Sequence, residues 1–345
     1  MRKVLRGLVI LSILLANHTV GLATQDATGL PVVSEAVLAR GPMPRASGDP
    51  QGRPLAQEQK LEGAITISGA WAIYPTVVMW AEHFEKKYPG VKIYVSAGGA
   101  GKGAADAIAG LVDIGMVSRE PDPSELKKNI QAIYVLKDAV YPVVSEKNFF
   151  LPDLLKKGIT KQTLSDIYIS GIITTWGQVI GKKDNKPIHI YTRSDSCGAA
   201  ASWAAYLGKK QEDLKGVGIY GDPGLLETSK RDPVGIGYNN FSYVFTRDGS
   251  LMPGIKLVPI DSNENGIADK NEVYTNRTQA VAAMESGRYP AARKNFFFTR
   301  KDANPLVKEF IRFALSEEGA KIVEAVATSL PIPKGEREKI LKSLQ

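Results

Sequence analysis

The sequence is poor in the side chains that most often carry covalent chemistry. Its 345 residues include one cysteine, Cys197, so no disulfide can close within the chain. Histidine occurs three times: His18 lies in the apolar N-terminal segment, His83 on a helix near its basic end, and His189 on a strand two residues before Tyr191. A nucleophile with a nearby base therefore has a single candidate pair, Cys197 with His189, and a half-buried strand histidine is the commoner reading of the second member. No catalytic residue is assigned and no enzyme is expected. A dense arginine or lysine stripe with interleaved aromatics is also missing, which excludes the usual pattern for nucleic acid. The N-terminal apolar run, Leu8 to Leu15, is too short to span a bilayer.

What is present is an ordinary globular composition, 43% hydrophobic and 23% charged, over a length that suits one large domain or two medium ones. Arg2, Lys3 and Arg6 precede the apolar run and Gly21-Leu22-Ala23 follows it as a small-residue cleavage site, so residues 1–23 are read as a secretory signal peptide. Asn17 and His18 interrupt the run too early for a membrane anchor. Residues 24–62 are rich in proline, glycine and small polar residues with no sustained period, the mark of a disordered tether. Export makes the lone thiol matter: an oxidising compartment pairs cysteines, so Cys197 is either shielded or chemically used. The formal net charge of +8 falls to about +5 without the signal, which suits an anionic small ligand or an anionic surface.

Order is expected from "GAITISGA" onward, an alternating strand that ends in glycine. In "YPTVVMWAEHFEKKYPG" the residues Val77, Val78, Trp80, Ala81 and Phe84 recur at helical spacing, with Pro75 suited to the first turn. A strand "VKIYVS", a glycine loop "AGGAGKG", a helix "AADAIAGL" and a strand "VDIGMVS" follow, an alternation that marks an α/β protein. "DAVYPVVS" reads as a strand able to cross between lobes, "KPIHIYTRS" as a strand leading into "DSCGAAASW", and "GIKLVPI" as another strand. Near the C-terminus "LVKEFIRFALSEEGAKIVEAV" is an amphipathic helical pair, with Leu306, Phe310, Phe313 and Ala314 on one stripe.

Two loops carry chemistry of their own. "SAGGAGKGAADAIAG" follows a strand and opens a helix, a geometry that offers backbone N–H groups and the positive helix end to an anion. It is not a nucleotide loop, because Gly103 follows Lys102 where a serine or threonine would hold Mg²⁺. "DSNENGIADKNE", residues 261–272, has the polar positions of a calcium loop: Asp261, Asn263, Asn265, the Ile267 carbonyl, Asp269 and a bidentate Glu272, with Gly266 at the turn. No helices flank it, so the alternatives are a structural Ca²⁺ site and an Asp/Asn-rich surface turn. An organic cofactor is not expected.

"ITISGAWAIYPTVVMWAEHF", "AGGAGKGAADAIAGLVDIGMVSREPDPSEL", "LSDIYISGIITTW", "IYTRSDSCGAAASWAAYL" and "VGIGYNNFSY" stand in an order and spacing that resembles the periplasmic phosphate-binding proteins of ABC importers. The resemblance implies an α/β, two-lobed periplasmic-binding-protein fold of type II, with a ligand cleft between lobes joined by two crossovers. It places lobe one at 63–144 plus 291–345 and lobe two at 145–290. It also implies a periplasmic or secreted monomer that takes a small oxyanion and has an ABC permease as its membrane partner.

Carried over residue by residue, the resemblance assigns ligand positions to Ala70, Trp71, Ala100, Gly101, Ser118, Arg119, Arg193, Asp195, Cys197, Gly198 and Ala199. Arg193 matches an arginine that pairs with the anion and Asp195 an aspartate that orients it. Ser118 and Arg119 fall where some relatives carry aspartate and others arginine. Hydroxyls usual in the family are replaced around Ala70 to Ala72 and at Ala100, Cys197 and Ala199. The site expected from this is an arginine pair, Arg119 and Arg193, with backbone N–H groups at Ala70, Gly101, Gly198 and Ala199. Three readings stay open: retained phosphate, a changed anion, and a non-transport interaction or adhesion protein with a degenerate cleft.

Overall fold

The computed structural model describes residues 61–344. Residues 1–60, which cover the span read as a signal peptide and most of the span read as a tether, lie outside the described residues. Ten strands form one continuous sheet: β1 (Glu62–Gly69), β2 (Gly90–Ala97), β3 (Ile114–Val117), β4 (Ile130–Ser145), β5 (His189–Arg193), β6 (Val217–Ile219), β7 (Gly235–Asn240), β8 (Ile255–Leu257), β9 (Ala292–Arg300) and β10 (Leu330–Pro331). Their order is β2-β1-β3-β9-β4-β7-β5-β6, with β8 and β10 each pairing β4 beside that path. The first strand begins at Glu62, one residue inside the span read as tether.

β1 runs parallel to both β2 and β3, so each connection needs a crossover, and helices supply them. The first, Tyr74–Lys87, buries Val77, Trp80, Ala81 and Phe84 at three- and four-residue spacing, begins with proline in its first turn and ends on Lys86 and Lys87. The second, Ala100–Ala109, opens at Gly99, whose φ of 94° a residue with a side chain rarely adopts. β5 likewise runs parallel to β6 and β7. The carboxyl ends of these parallel strands carry the loops of interest, where open α/β sheets present their ligand crevices.

Buried side chains form two separate cores. One gathers Ile65, Ile67, Trp80, Phe84, Val91, Phe297, Phe298 and Phe310. The other gathers Tyr141, Tyr168, Trp176, Trp203, Leu225, Tyr238 and Phe241. β4 belongs to both: Ile130–Ala139 pairs antiparallel with β9, and Val140–Ser145 pairs with β7 and β8. The first core ends on β4 at Leu136 and the second begins at Ala139; on the returning chain Ala291 is in the second core and Phe296 in the first. The lobe boundary expected at 144/145 is therefore corrected to the neighbourhood of Asp138, because Ala139, Val140, Tyr141, Val143 and Val144 pack with lobe two. Ala291, placed in lobe one by the sequence reading, packs there too. Among the described residues no helix is long and apolar enough to cross a membrane.

Candidate functional site

Arg193 is the last residue of β5, and its side chain is wholly buried. Two carboxylates hold it. Asp195 accepts from Nε at 2.8 Å and from Nη2 at 2.6 Å, the two-pronged match that suits a guanidinium. Asp222, itself 1% exposed, sets Oδ2 2.7 Å from Nη1. The backbone N–H of Gly221 donates to Asp195 Oδ1 at 3.2 Å, so the loop preceding Asp222 is tied to the same pair. Burial pushes the Asp222 carboxyl up, and this outweighs the downward pull of Arg193. Asp222 Oδ1 accepts from the Asn240 amide at 2.7 Å, while Oδ2 faces Nη1 as an ion pair.

Two residues after Asp195, Cys197 is the N-cap of the helix Gly198–Tyr206, its sulfur accepting from the Ala200 N–H at 3.4 Å. The side chain of Gln211 fastens this turn, accepting from the Cys197 N–H at 3.2 Å and donating to the Asp195 carbonyl at 2.8 Å. Burial pushes the thiol up to about 12 although Arg193 opposes it, so Cys197 is a capping group and no ready nucleophile. The candidate base is engaged elsewhere: His189 Nδ1 lies 2.6 Å from Asp232, which also accepts from the Tyr191 hydroxyl at 2.7 Å, and the imidazole is exposed.

The lobes meet directly across these loops. The Gly101 N–H donates to the Ser196 carbonyl at 3.0 Å, and Gly99 lies so close that a Cβ there would come within 2.5 Å of the same oxygen. Gly198 packs onto Ser118, where a Cβ would meet the carbonyl carbon at 2.6 Å. Trp71, in the short 3-10 turn Trp71–Ile73, stands edge-on to Tyr220 with centroids 6.2 Å apart, and its carbonyl accepts from Tyr243 at 3.4 Å. Ala100 and Ala199 are buried at the starts of their helices.

Three expectations need correcting. Arg119 does not pair with Arg193: its guanidinium is taken two-pronged by Glu125, at 2.6 and 2.9 Å, with the Glu120 carbonyl at 3.1 Å. The Ala70 N–H donates to the Met116 carbonyl at 2.9 Å, and the Gly101 N–H to Ser196, so neither faces an anion. Strand pairing and lobe contact claim them first, because a buried N–H takes the nearest acceptor. The residues that sequence reasoning missed are Asp222, in "YGDPG", and Asn240, in "GYNNF". Asn240 also accepts from Arg293, which pairs with Asp138 at 2.8 Å. The only sequence signal was an aspartate before proline at a helix start, which is more often a turn.

The 261–272 loop folds around Asp261, whose carboxylate accepts from the Asn265 N–H at 3.2 Å and the Gly266 N–H at 2.9 Å, with Gly266 at a φ of 77°. Glu272 accepts from the Ser262 and Asp269 N–H groups at 2.7 and 3.1 Å. Asn263 and Asn265 donate their amides to Asp269, and Ile267 is exposed. Among the described residues no three His, Cys, Asp or Glu side chains are grouped so as to hold a metal ion.

Comparison with known proteins finds a match to the PBP superfamily domain over residues 54–318. The phosphate-binding protein PstS of Bacillus subtilis is 30% identical over 275 residues, 80% of this chain and 83% of that one. PstS of Pseudomonas aeruginosa is 24% identical over 309 residues, 84% and 90% of the two chains. Among solved structures, a phosphate-bound protein from Clostridium perfringens superposes with a TM-score of 0.65 at 24% identity, over 78% of this chain and all of that one. An ABC-type phosphate transport receptor from Vibrio cholerae gives 0.60 at 20% identity, with 78% and 100% covered. The fold is the two-lobed, type II periplasmic-binding-protein fold.

Proposed function

The chain belongs to the PBP superfamily, within its PstS-type phosphate-binding family, and from that membership we propose that it is an extracytoplasmic solute-binding protein for phosphate, serving an ABC importer by hinge closure. The observation that carries the reading is Arg193: a guanidinium wholly buried where two lobes meet, oriented by Asp195 and next to a helix N-terminus. A buried arginine on that loop supplies the charge-assisted donors that a desolvated oxyanion requires. The work is binding, and a capped, buried thiol with no base beside it fits that.

Hydroxyl loss sets the affinity. Alanine at 70, 72, 100 and 199 and cysteine at 197 offer fewer hydrogen bonds than serine and threonine, and each bond to a charged ligand is worth about 1.5–3 kcal/mol. Phosphate is therefore held more weakly here than in a hydroxyl-rich site, by several decades in Kd. Residues 1–23 direct export and 24–60 space the binding unit from the surface. The loop 261–272 takes a structural Ca²⁺ once the Asn263 and Asn265 amides turn their oxygens inward; the Gly266 turn and the buried Asp261 and Glu272 support this.

Thermal-shift measurements on the exported chain with phosphate, sulfate, arsenate, molybdate and arsenite test the assignment. Phosphate at a hundredfold over Kd raises stability by about 2.7 kcal/mol, a readily measured shift. No shift with any of the five returns the protein to the interaction or adhesion class.

A further inference from the structure

Between the helices Tyr74–Lys87 and Glu317–Val326 of lobe one and residues 242–252 of lobe two lies a cavity of about 610 Å³, whose lining includes neither Arg193 nor any residue paired with it. Its volume falls within the range of small-molecule sites, and such sites favour the junction of two domains. The walls are mainly apolar. Met79, Ile322 and Val326 belong to or pack on the lobe-one core, and Phe245 and Met252 on the lobe-two core. A methionine from each side gives these walls a surface that adapts to a flexible aliphatic chain.

The charges along this cavity are one-sided. Arg247 and Lys321 line it, and among the described residues neither is held in an ion pair, because the carboxylates near them in sequence are engaged elsewhere. Asp248 accepts from the Thr246 hydroxyl and the Ser250 N–H of its own turn. Glu317 pairs with Arg337, and Glu324 lines a different cavity. Glu318, the acidic residue of the lining, is held by Lys87 at 2.7 Å. Ser242 adds a hydrogen-bonding group: its hydroxyl is buried with no partner, and a hydroxyl turns to donate to an acceptor that arrives.

We propose that this cavity is a second binding site, for a free aliphatic monocarboxylate whose chain lies between the two methionine-bearing walls and whose carboxylate meets Arg247, Lys321 and the Ser242 hydroxyl. Apolar walls edged by two unpaired cations complement a chain that ends in a negative charge. A compact oxyanion gains nothing from the walls, and a cationic chain of the same length meets repulsion at the edge. Arg247 and Lys321 are exposed, so burial of the chain supplies most of the affinity while the charges orient and select the ligand.

Calorimetric titration of the exported chain with decanoate, kept below its micelle concentration, tests this against octanoate and decyltrimethylammonium. The wild type is expected to take one decanoate per chain. Octanoate, two methylenes shorter, should bind about tenfold more weakly, and so should the cation of equal chain length. Arg247→Glu combined with Lys321→Glu, both at exposed positions, weakens decanoate by about tenfold, and Met79→Glu, which sets a charge in the apolar wall, does so by at least about as much. Should Met79→Glu fail to fold by circular dichroism, the charge-reversed variant decides alone. No decanoate on the wild type, equal binding of the cation, or wild-type affinity in the charge-reversed variant overturns the proposal. A wild type that sediments as a dimer and binds no decanoate, while the charge-reversed variant is a monomer, gives the cavity to a second copy and likewise overturns it. None of these results depends on whether phosphate binds at Arg193.

Discussion

Replacing Gly198 with alanine should hold the cleft open while leaving both lobes folded. Gly198 begins a helix, has no left-handed backbone requirement, and belongs to lobe two, whereas the Ser118 it touches belongs to lobe one. A Cβ would come within 2.6 Å of the Ser118 carbonyl carbon and closer still to its oxygen, against an ordinary contact that begins at 3.4 Å, so the loops must part by about 1 Å. Backbone cannot swing aside as a side chain does. Parting breaks the Gly101 to Ser196 bond and draws lobe one away from a ligand held at Arg193. Losing one bond to a charged ligand, at about 1.5–3 kcal/mol, weakens phosphate by roughly one to two decades. Within the helix itself alanine costs nothing and gains up to about 1 kcal/mol over glycine. Small-angle scattering with and without phosphate, together with calorimetry, reads both effects: compaction on binding disappears, and Kd rises. Gly335→Ala, at a helical position with nothing within 4 Å, is the control. Wild-type Kd and wild-type compaction in Gly198→Ala would refute the closure geometry.

Arg193→Met strands Asp222 as a buried carboxylate, and breaking such a pair costs about 3–5 kcal/mol. Burial already raises that carboxyl, and without Arg193 its folded value climbs further above the unfolded one. The folded variant then holds the extra proton, so its deficit in urea midpoint should shrink as pH falls from about 7.5 to about 5; a constant deficit contradicts this. Cys197 should resist iodoacetamide near neutral pH and react only on unfolding, because its thiol is buried and pushed up to about 12; rapid modification of the folded chain would restore the nucleophile. Cys197→Ser supplies a better N-cap oxygen and should raise stability by about 0.5–1 kcal/mol and tighten phosphate, read by melting and calorimetry. Calcium should raise the wild-type melting temperature and leave Glu272→Ala unmoved; equal responses remove the loop from consideration as a calcium site.

The parts of the fold legible in the sequence were those where period and punctuation agree. β1, the Tyr74–Lys87 helix, the glycine turn at Gly99 and the helical pair Pro305–Leu315 and Glu317–Val326 each have a clean pattern with a cap or breaker at the expected end. β9 was missed because "ARKNFFFTR" mixes charge with three consecutive phenylalanines, which carry neither a two- nor a four-residue period. The lobe boundary slipped because β4 is apolar throughout its second half, and only pairing partners separate its two ends. At the site, Arg193 and Asp195 came from the resemblance of "TRSDSCG" to the family's motif, and the two side chains do pair. Asp222 sits 27 residues beyond Asp195 and reaches Arg193 only through the folding of β6 and the helix Gly221–Arg231. Arg119 misled for the opposite reason: Glu125, six residues away in a capping box at Asp122, competes for it locally.

On the proposed function, the buried Arg193, already oriented by Asp195, holds phosphate between the two lobes. Equilibrium dialysis of the exported chain against radiolabelled inorganic phosphate, with Arg193→Met in parallel, measures it most directly. One phosphate per wild-type chain and none retained by the variant is the predicted result; no phosphate on the wild type, or equal retention by both, contradicts the account.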